Sequence, residues 1–173
     1  NGMEALKREK FYITHPTFQD FEEWAEEYFK AVKEDPSILL SFDIETPRDD
    51  EKEEKDEKWE TKIEETASYT TILRISFAYK PFHAISVPWT EPFIGIIRRL
   101  LGTTFGKVVW NRHFDVPRVT FKGCPVGGTI YDGMDAFHFL EPSMKMGLKY
   151  VATFFCPDME AWFLDSHRLP EYY

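Results

Sequence analysis

The sequence lacks long apolar runs and has few cysteines. No stretch of about 18 consecutive apolar residues occurs and the first residues are polar and charged, so the sequence predicts neither a membrane span nor a secretory signal peptide. Its two cysteines, Cys124 and Cys156, are not spaced as C-x-x-C, which favours buried thiols over a disulfide or a metal-binding pair. We therefore expect a cytosolic protein with no membrane partner.

The charge that is present is unevenly distributed. The 173 residues carry a net charge of −9, which is unfavourable for a nucleic-acid partner if it is spread evenly. Residues 49–66 hold ten acids and four lysines, so this segment alone carries −6 and the rest of the chain only −3. Charge runs of this kind are typical of solvated loops. We predict an acidic loop over 49–66 and exclude its acids as catalytic candidates.

The order of the predicted elements indicates an α/β fold. Residues 17–33 place aromatic and aliphatic side chains at helical spacing, which gives a helical lead-in that we assign to 1–36. The remaining domain, 37–173, is predicted to alternate strands and helices, with strands over 37–45, 70–79, 84–89, 107–110 and 129–131. This order predicts a five-stranded mixed sheet flanked by helices, as in the ribonuclease H-like fold, although other mixed-sheet folds share it.

Two acids interrupt the first apolar strand at alternate positions. Asp43 and Glu45 follow an apolar run from Ile38, and the two-residue repeat of a strand puts both carboxylates on one face. Like charges side by side on a buried strand repel each other and lose solvation, and a divalent cation commonly relieves this. The other interpretation is a half-exposed strand whose acids simply face water.

A further carboxylate follows the fourth predicted strand. Residues 108–115 read VVWNRHFD, an apolar strand with a polar end and with Asp115 in the first turn of the next helix. Such junctions place side chains at the carboxyl edge of a sheet, where sites in α/β folds collect. Taken alone, Asp115 is equally consistent with an acid that the helix dipole favours.

Four segments in this order resemble one family. They read FDIET at 42–46, NRHFD at 111–115, IYDGM at 130–134 and MGLKYVA at 146–152. Together they resemble the proofreading 3′-to-5′ exonuclease domains of family A DNA polymerases, within the DEDD superfamily. The segment 76–89 and the acidic insert before it are most similar to the phage-encoded members. The resemblance extends over residues 38–173.

The resemblance implies an enzyme that uses two Mg²⁺ or Mn²⁺ ions to hydrolyse the last phosphodiester bond at the 3′ end of single-stranded DNA. It assigns Asp43 as the ligand that bridges the metals, Glu45 as a ligand of the water-activating ion and Asp115 as a ligand of the other ion. Tyr173 would orient the attacking water. The residues implied to contact the terminal nucleotide are Thr46, Asn111 and Phe114. The same resemblance implies a polymerase module in the full-length chain, in the cytosol of a bacterium or phage-infected host.

The last family motif is incomplete in this chain. The tyrosine subclass ends in Y-x-x-x-D, whose aspartate is the fourth metal ligand, and Tyr173 is the last residue of the sequence. We therefore expect a truncated C-terminal end and a weak or inactive nuclease. Two other functions stay open, namely a free-standing RNA-trimming exonuclease of the same superfamily and a catalytically silent domain that clamps nucleic acid. Asp132 is expected to cap its helix rather than to bind metal.

Overall fold

The computed structural model describes residues 11–47 and 70–156 of the chain. Within these ranges the strands are β1 Phe11–Ile13, β2 Leu40–Glu45, β3 Arg74–Lys80, β4 His83–Pro88, β5 Lys107–Val109 and β6 Ile130–Asp132. The helices are α1 Phe18–Glu34, α2 Phe93–Gly102, α3 Arg112–Phe121, α4 Gly133–Leu140 and α5 Leu148–Phe155. The chain divides into two compact units between Tyr131 and Asp132. The predicted acidic loop 49–66 and Tyr173 lie outside the described residues.

The strands form one mixed sheet in the order β1-β4-β3-β2-β5-β6. Strands β2, β3 and β4 are antiparallel neighbours, whereas β5 runs parallel to β2 and β1 runs parallel to β4. The predicted α/β class, the mixed sheet and the hairpin β3–β4 are confirmed. The number of strands is not, because the sheet has six strands where the sequence predicted five.

The additional strand, β1, lies in the segment that was predicted to be a helical lead-in. It pairs in parallel with His83 to Ile85 of β4, and the guanidinium of Arg74 donates to the main-chain oxygen of Thr14 just beyond it, at 2.6 Å. Three residues are too few to show an alternating pattern in a sequence, so only these tertiary contacts define the strand. The lead-in helix itself is present as α1, and Thr17 and Asp20 form the capping box at its start.

The hydrophobic core lies on one face of the sheet. Helix α1 packs against α2 and β4, and the rings of Phe21 and Trp24 lie 6.1 and 6.2 Å from the ring of Phe77 on β3. Strand β2 contributes alternate side chains to this core, and they are Leu40, Phe42 and Ile44. The intervening residues of β2 therefore point to the opposite face of the sheet.

A buried lysine holds the segment that leads into β5. Lys107 is fully buried, and its Nζ lies 2.5 to 2.9 Å from Thr103 O, Thr103 Oγ1, Phe105 O and Gly127 O. Burial lowers the pKa of Lys107 to about 8, so the amine is still charged at neutral pH. One ammonium group thus satisfies three main-chain carbonyls from two separate loops, which fixes the start of β5.

The second unit, from Asp132 onward, contributes helices α4 and α5. The Asp132 carboxylate accepts a hydrogen bond from Met134 N at 2.9 Å, which confirms the prediction that Asp132 caps its helix. The rings of Phe137 and Phe155 meet edge to face at 6.5 Å. No helix in the described part of the chain has the length and hydropathy required to cross a membrane.

Candidate metal centre at the end of strand β2

Asp43 and Glu45 project from the face of β2 that is opposite to the core. Both side chains are exposed, whereas the residues on either side of Asp43 in the core-facing row are buried. In the register of the sheet, Asp43 stands beside Ser76 and Glu45 beside Arg74. The first carboxylate pair of the predicted site is therefore side by side on one surface, as the D-x-E spacing predicted.

Arg74 stands beside Glu45 in the sheet, but its guanidinium binds elsewhere. Its Nε donates to Ser86 Oγ at 3.1 Å, and its Nη2 donates to Ser86 O at 2.8 Å and to Thr14 O. The cation thus connects β3 to β4 and to the end of β1. None of the ion pairs among the described residues joins Arg74 to Glu45.

The pKa of Asp43 is raised from 3.8 to about 6. The larger cause is loss of solvation to the surrounding protein atoms, although the side chain as a whole is exposed, and the smaller cause is the negative charge of Glu45. The charge of Glu45 therefore makes ionisation of Asp43 less favourable in the metal-free chain. A divalent cation between them removes that repulsion.

Asp115 reaches the same end of β2 from helix α3. Its Oδ1 accepts a hydrogen bond from the main-chain N of Ile44 at 3.2 Å, and Ile44 is the residue between Asp43 and Glu45. Strand β5 pairs with β2 only at Leu40 and Ser41. The amides of residues 40, 42 and 44 lie along one edge of the strand, and Leu40 N donates to Gly106 O on the β5 side. Asp115 thus accepts a hydrogen bond from a β2 amide that lies past the residues paired with β5.

The other predicted site residues lie around this junction. Asn111 precedes α3 and adopts a left-handed backbone conformation, with φ 69° and ψ 67°, which asparagine tolerates better than most residues. This conformation turns the chain sharply from β5 into α3 and brings Asp115 to β2. Phe114 is 36% exposed, and Thr46 is half-buried directly after β2. Their predicted contacts with a nucleotide stay predictions.

The donor atoms suit a hard divalent ion, but the full metal-binding arrangement is incomplete in the described structure. Among residues 11–47 and 70–156, no group of three or more His, Cys, Asp or Glu side chains is arranged to hold a metal ion. The structure brings Asp43 and Glu45 together and places the Asp115 carboxylate on the amide between them. Carboxylate oxygens are the ligands that Mg²⁺ and Mn²⁺ prefer. Convergence of all three carboxylates on shared ions stays a prediction.

Sequence reasoning missed one residue of this region. Arg118 is not among the predicted site residues, yet this arginine is only 8% exposed. It lies on the buried side of α3 with Asp115 and Val119, at spacings of three and four residues. That helical spacing is the signal in the sequence by which it could have been found.

Solved structures resemble this chain, although no protein family and no curated protein sequence matches it. The RNase D–GMP complex of Trypanosoma brucei aligns with a TM-score of 0.59 at 13% identity, over 86% of this chain and 42% of that chain. The complex of Trypanosoma brucei RNase D with RNA U12 aligns with a TM-score of 0.53 at 12% identity, over 74% and 39%. The apo form of a nuclease aligns with a TM-score of 0.55 at 10% identity, over 85% and 60%.

These similarities establish the fold. The chain has the α/β, ribonuclease H-like fold that it shares with these solved structures. It spans less than two thirds of the length of each of these proteins. The fold prediction made from the order of elements is thereby confirmed, apart from the number of strands.

Proposed function

We propose that the chain is a metal-dependent 3′-to-5′ exonuclease of the DEDD type that removes nucleotides from single-stranded ends. The observation that carries the proposal is the carboxylate arrangement at the end of β2. Asp43 and Glu45 stand side by side, and Asp115 accepts from the amide between them at 3.2 Å. A fold shared with RNase D and another nuclease supports the same reaction class.

Each residue has a proposed role in the reaction. Asp43, Glu45 and Asp115 would hold two Mg²⁺ or Mn²⁺ ions, with Asp43 as the ligand common to both and Glu45 and Asp115 as ligands of one each. The ions would supply activation of a water molecule and stabilisation of the departing 3′ oxygen. Asn111 and Phe114 position the terminal nucleotide, together with Thr46. Tyr173, which lies outside the described residues, orients the water if the chain is of the tyrosine subclass.

RNA is the proposed substrate. Two of the solved structures with this fold are RNase D, and one of them is a complex with RNA U12. The acidic insert 49–66 carries −6 of the net charge of −9, so the rest of the chain repels a polyanion only weakly. We propose an RNA-trimming exonuclease of the cytosol.

DNA proofreading is the second candidate, and the motif order favours it. The segments at 42–46, 111–115, 130–134 and 146–152 resemble the exonuclease domains of family A DNA polymerases, and residues 76–89 with the acidic insert resemble the phage-encoded members. In that case the substrate is a single-stranded DNA 3′ end and the chain works beside a polymerase module. The two candidates share one active site and differ in the sugar that the site accepts.

The test uses matched strands with a label at the 5′ end. One RNA and one DNA of the same sequence are incubated with the chain and Mn²⁺ or Mg²⁺, and shortened products are resolved by length. We expect a ladder that shortens from the 3′ end, faster with RNA, and no ladder when the 3′ end is blocked. The Asp43→Asn variant, prepared in parallel, controls for a contaminating nuclease.

Each other result points to a specific different function. A ladder with DNA alone supports proofreading over RNA trimming. Binding without any cleavage, even after the chain is extended beyond Tyr173 to include an acid four residues later, supports the silent clamp. Cleavage that Asp43→Asn retains at a tenth of the wild-type rate or more contradicts the proposed role of Asp43.

A further inference from the structure

Arg118 is a buried cation beside the candidate site. Arginine is mostly exposed unless it is paired, yet this side chain is 8% exposed. Its Nη1 donates to Phe114 O at 2.8 Å, and its Cζ lies 3.7 Å from the centroid of the Phe114 ring. Its Nε has no hydrogen-bond partner among the described residues.

The guanidinium covers one face of the Phe114 ring. At 3.7 Å from the centroid the Cζ atom must lie over the ring, because an approach along the edge would collide with the ring carbons and hydrogens. Phe114 is still 36% exposed. A planar group that stacks on this ring must therefore approach the face opposite the guanidinium.

Packing alone does not account for an arginine at this position. A buried Nε without a hydrogen-bond partner costs free energy, and an apolar side chain of similar volume fills such a place without that cost. Burial lowers the pKa of Arg118, and the charge of Asp115 opposes this shift. The guanidinium thus acts on two adjacent residues of α3, namely the exposed aromatic ring and the buried carboxylate.

We infer that Arg118 is a positioning residue that holds the Phe114 ring as a stacking platform for the 3′-terminal base of a single-stranded nucleic acid. The inference rests on the proposed function, since it assigns part of the substrate-binding surface of that same site. Bases stack on aromatic rings whatever their identity, which suits an enzyme that removes every nucleotide in turn. A ring that is already held loses less conformational freedom when the base binds.

The test combines two substitutions of Arg118 with one change in the substrate. Arg118→Met replaces the planar cation with an unbranched apolar side chain. Arg118→Lys keeps the positive charge but lacks the planar guanidinium. Each protein is given a strand with a complete 3′-terminal nucleotide and a strand whose last nucleotide lacks its base. Affinity is measured by fluorescence anisotropy without divalent metal, and KM and kcat are measured with Mn²⁺.

We expect wild type to bind the complete end about tenfold more tightly than the abasic end, because one base stack is lost. Arg118→Met should lose most of this preference, with KM for the complete end raised by a similar factor and kcat changed by less than about twofold. Arg118→Lys should behave like Arg118→Met, because an ammonium group cannot cover the ring face. The abasic end should be bound about equally by all three proteins.

Other outcomes overturn the inference in ways that can be told apart. If the variants weaken complete and abasic ends by the same factor, Arg118 only supports the fold. Circular dichroism checks folding, and if Arg118→Met does not fold, Arg118→Lys makes the same comparison. If wild type cleaves but does not distinguish the two ends, the inference is wrong and the proposed function stands. If wild type neither binds nor cleaves either strand, both are wrong.

Discussion

Ser76 and Phe77 are neighbours on strand β3 and face opposite sides of the sheet. Phe77 is buried against the aromatic rings of α1, whereas Ser76 is half-buried beside Asp43 on the other face. The same alternation in β2 separates its buried apolar residues from its two acids. One face of the sheet thus stabilises the fold, and the other holds two carboxylates side by side, which are the proposed metal ligands. The two faces should respond differently to substitution.

The largest effect is expected from Asp43→Asn on the polar face. The substitution keeps the size of the side chain and removes the proposed bridging ligand, so the rate of nucleotide release should fall by about a thousandfold or more. Folding should be intact, because the variant removes a repulsive charge. The measurement is product formation in Mn²⁺ together with a melting curve, and Ser76→Ala, in the adjacent position of β3, is the control. A comparable loss in the control would show that any change on this face inactivates the protein.

On the core face, Phe77→Ala should lower the stability of the fold instead of acting on the catalytic step. Removing a buried aromatic ring typically lowers the free energy of unfolding by about 3 to 5 kcal/mol, whereas Ser76→Ala should change it by no more than about 0.5 kcal/mol. Urea unfolding of the two variants followed by circular dichroism measures both. Equal effects from these adjacent residues would contradict the separation of the two faces.

Substitution of the buried Lys107 is expected to lower the free energy of unfolding by an intermediate amount. Lys107→Met keeps the length of the side chain but leaves the carbonyls of Thr103, Phe105 and Gly127 without their shared donor. We expect a loss of about 2 to 3 kcal/mol in the free energy of unfolding. Chemical denaturation at pH 7 measures it, and Lys30→Met, at an exposed position of α1, is the matched control. A loss no greater than that of the control would show that the ammonium group is dispensable.

The smallest predicted effect is a pH dependence of stability without metal. The pKa of Asp43 in the folded chain, about 6, lies above its ordinary value of 3.8. Between these values the folded chain binds more protons than the unfolded chain, so stability should fall as pH rises from about 4 to about 6. Melting curves in EDTA should show wild type losing stability relative to Asp43→Asn across this window. If the difference in melting temperature between wild type and Asp43→Asn is constant with pH, the pKa of Asp43 is not raised in the folded chain.

The sequence predicted the polar face better than it predicted the edge of the sheet. The spacing of Asp43 and Glu45 was sufficient to place both on one face, because alternation is a local property of a strand. The position of Asp115 depended on where β5 ends and on the left-handed turn at Asn111, so sequence could indicate the residue but not its hydrogen bond to Ile44. Strand β1 is a product of tertiary contacts that no short pattern encodes, whereas the helical spacing of Arg118 with Asp115 and Val119 could have indicated its burial.

The most direct test of the carboxylate site is a Mn²⁺ titration followed by electron paramagnetic resonance, which distinguishes bound from free ions. It does not require activity, so metal binding is measured separately from catalysis. Wild type and Ser76→Ala should bind Mn²⁺ saturably, and Asp43→Asn should bind at least about tenfold more weakly. Equal affinity of wild type and Asp43→Asn, or no binding by wild type, would contradict a metal centre at the end of β2.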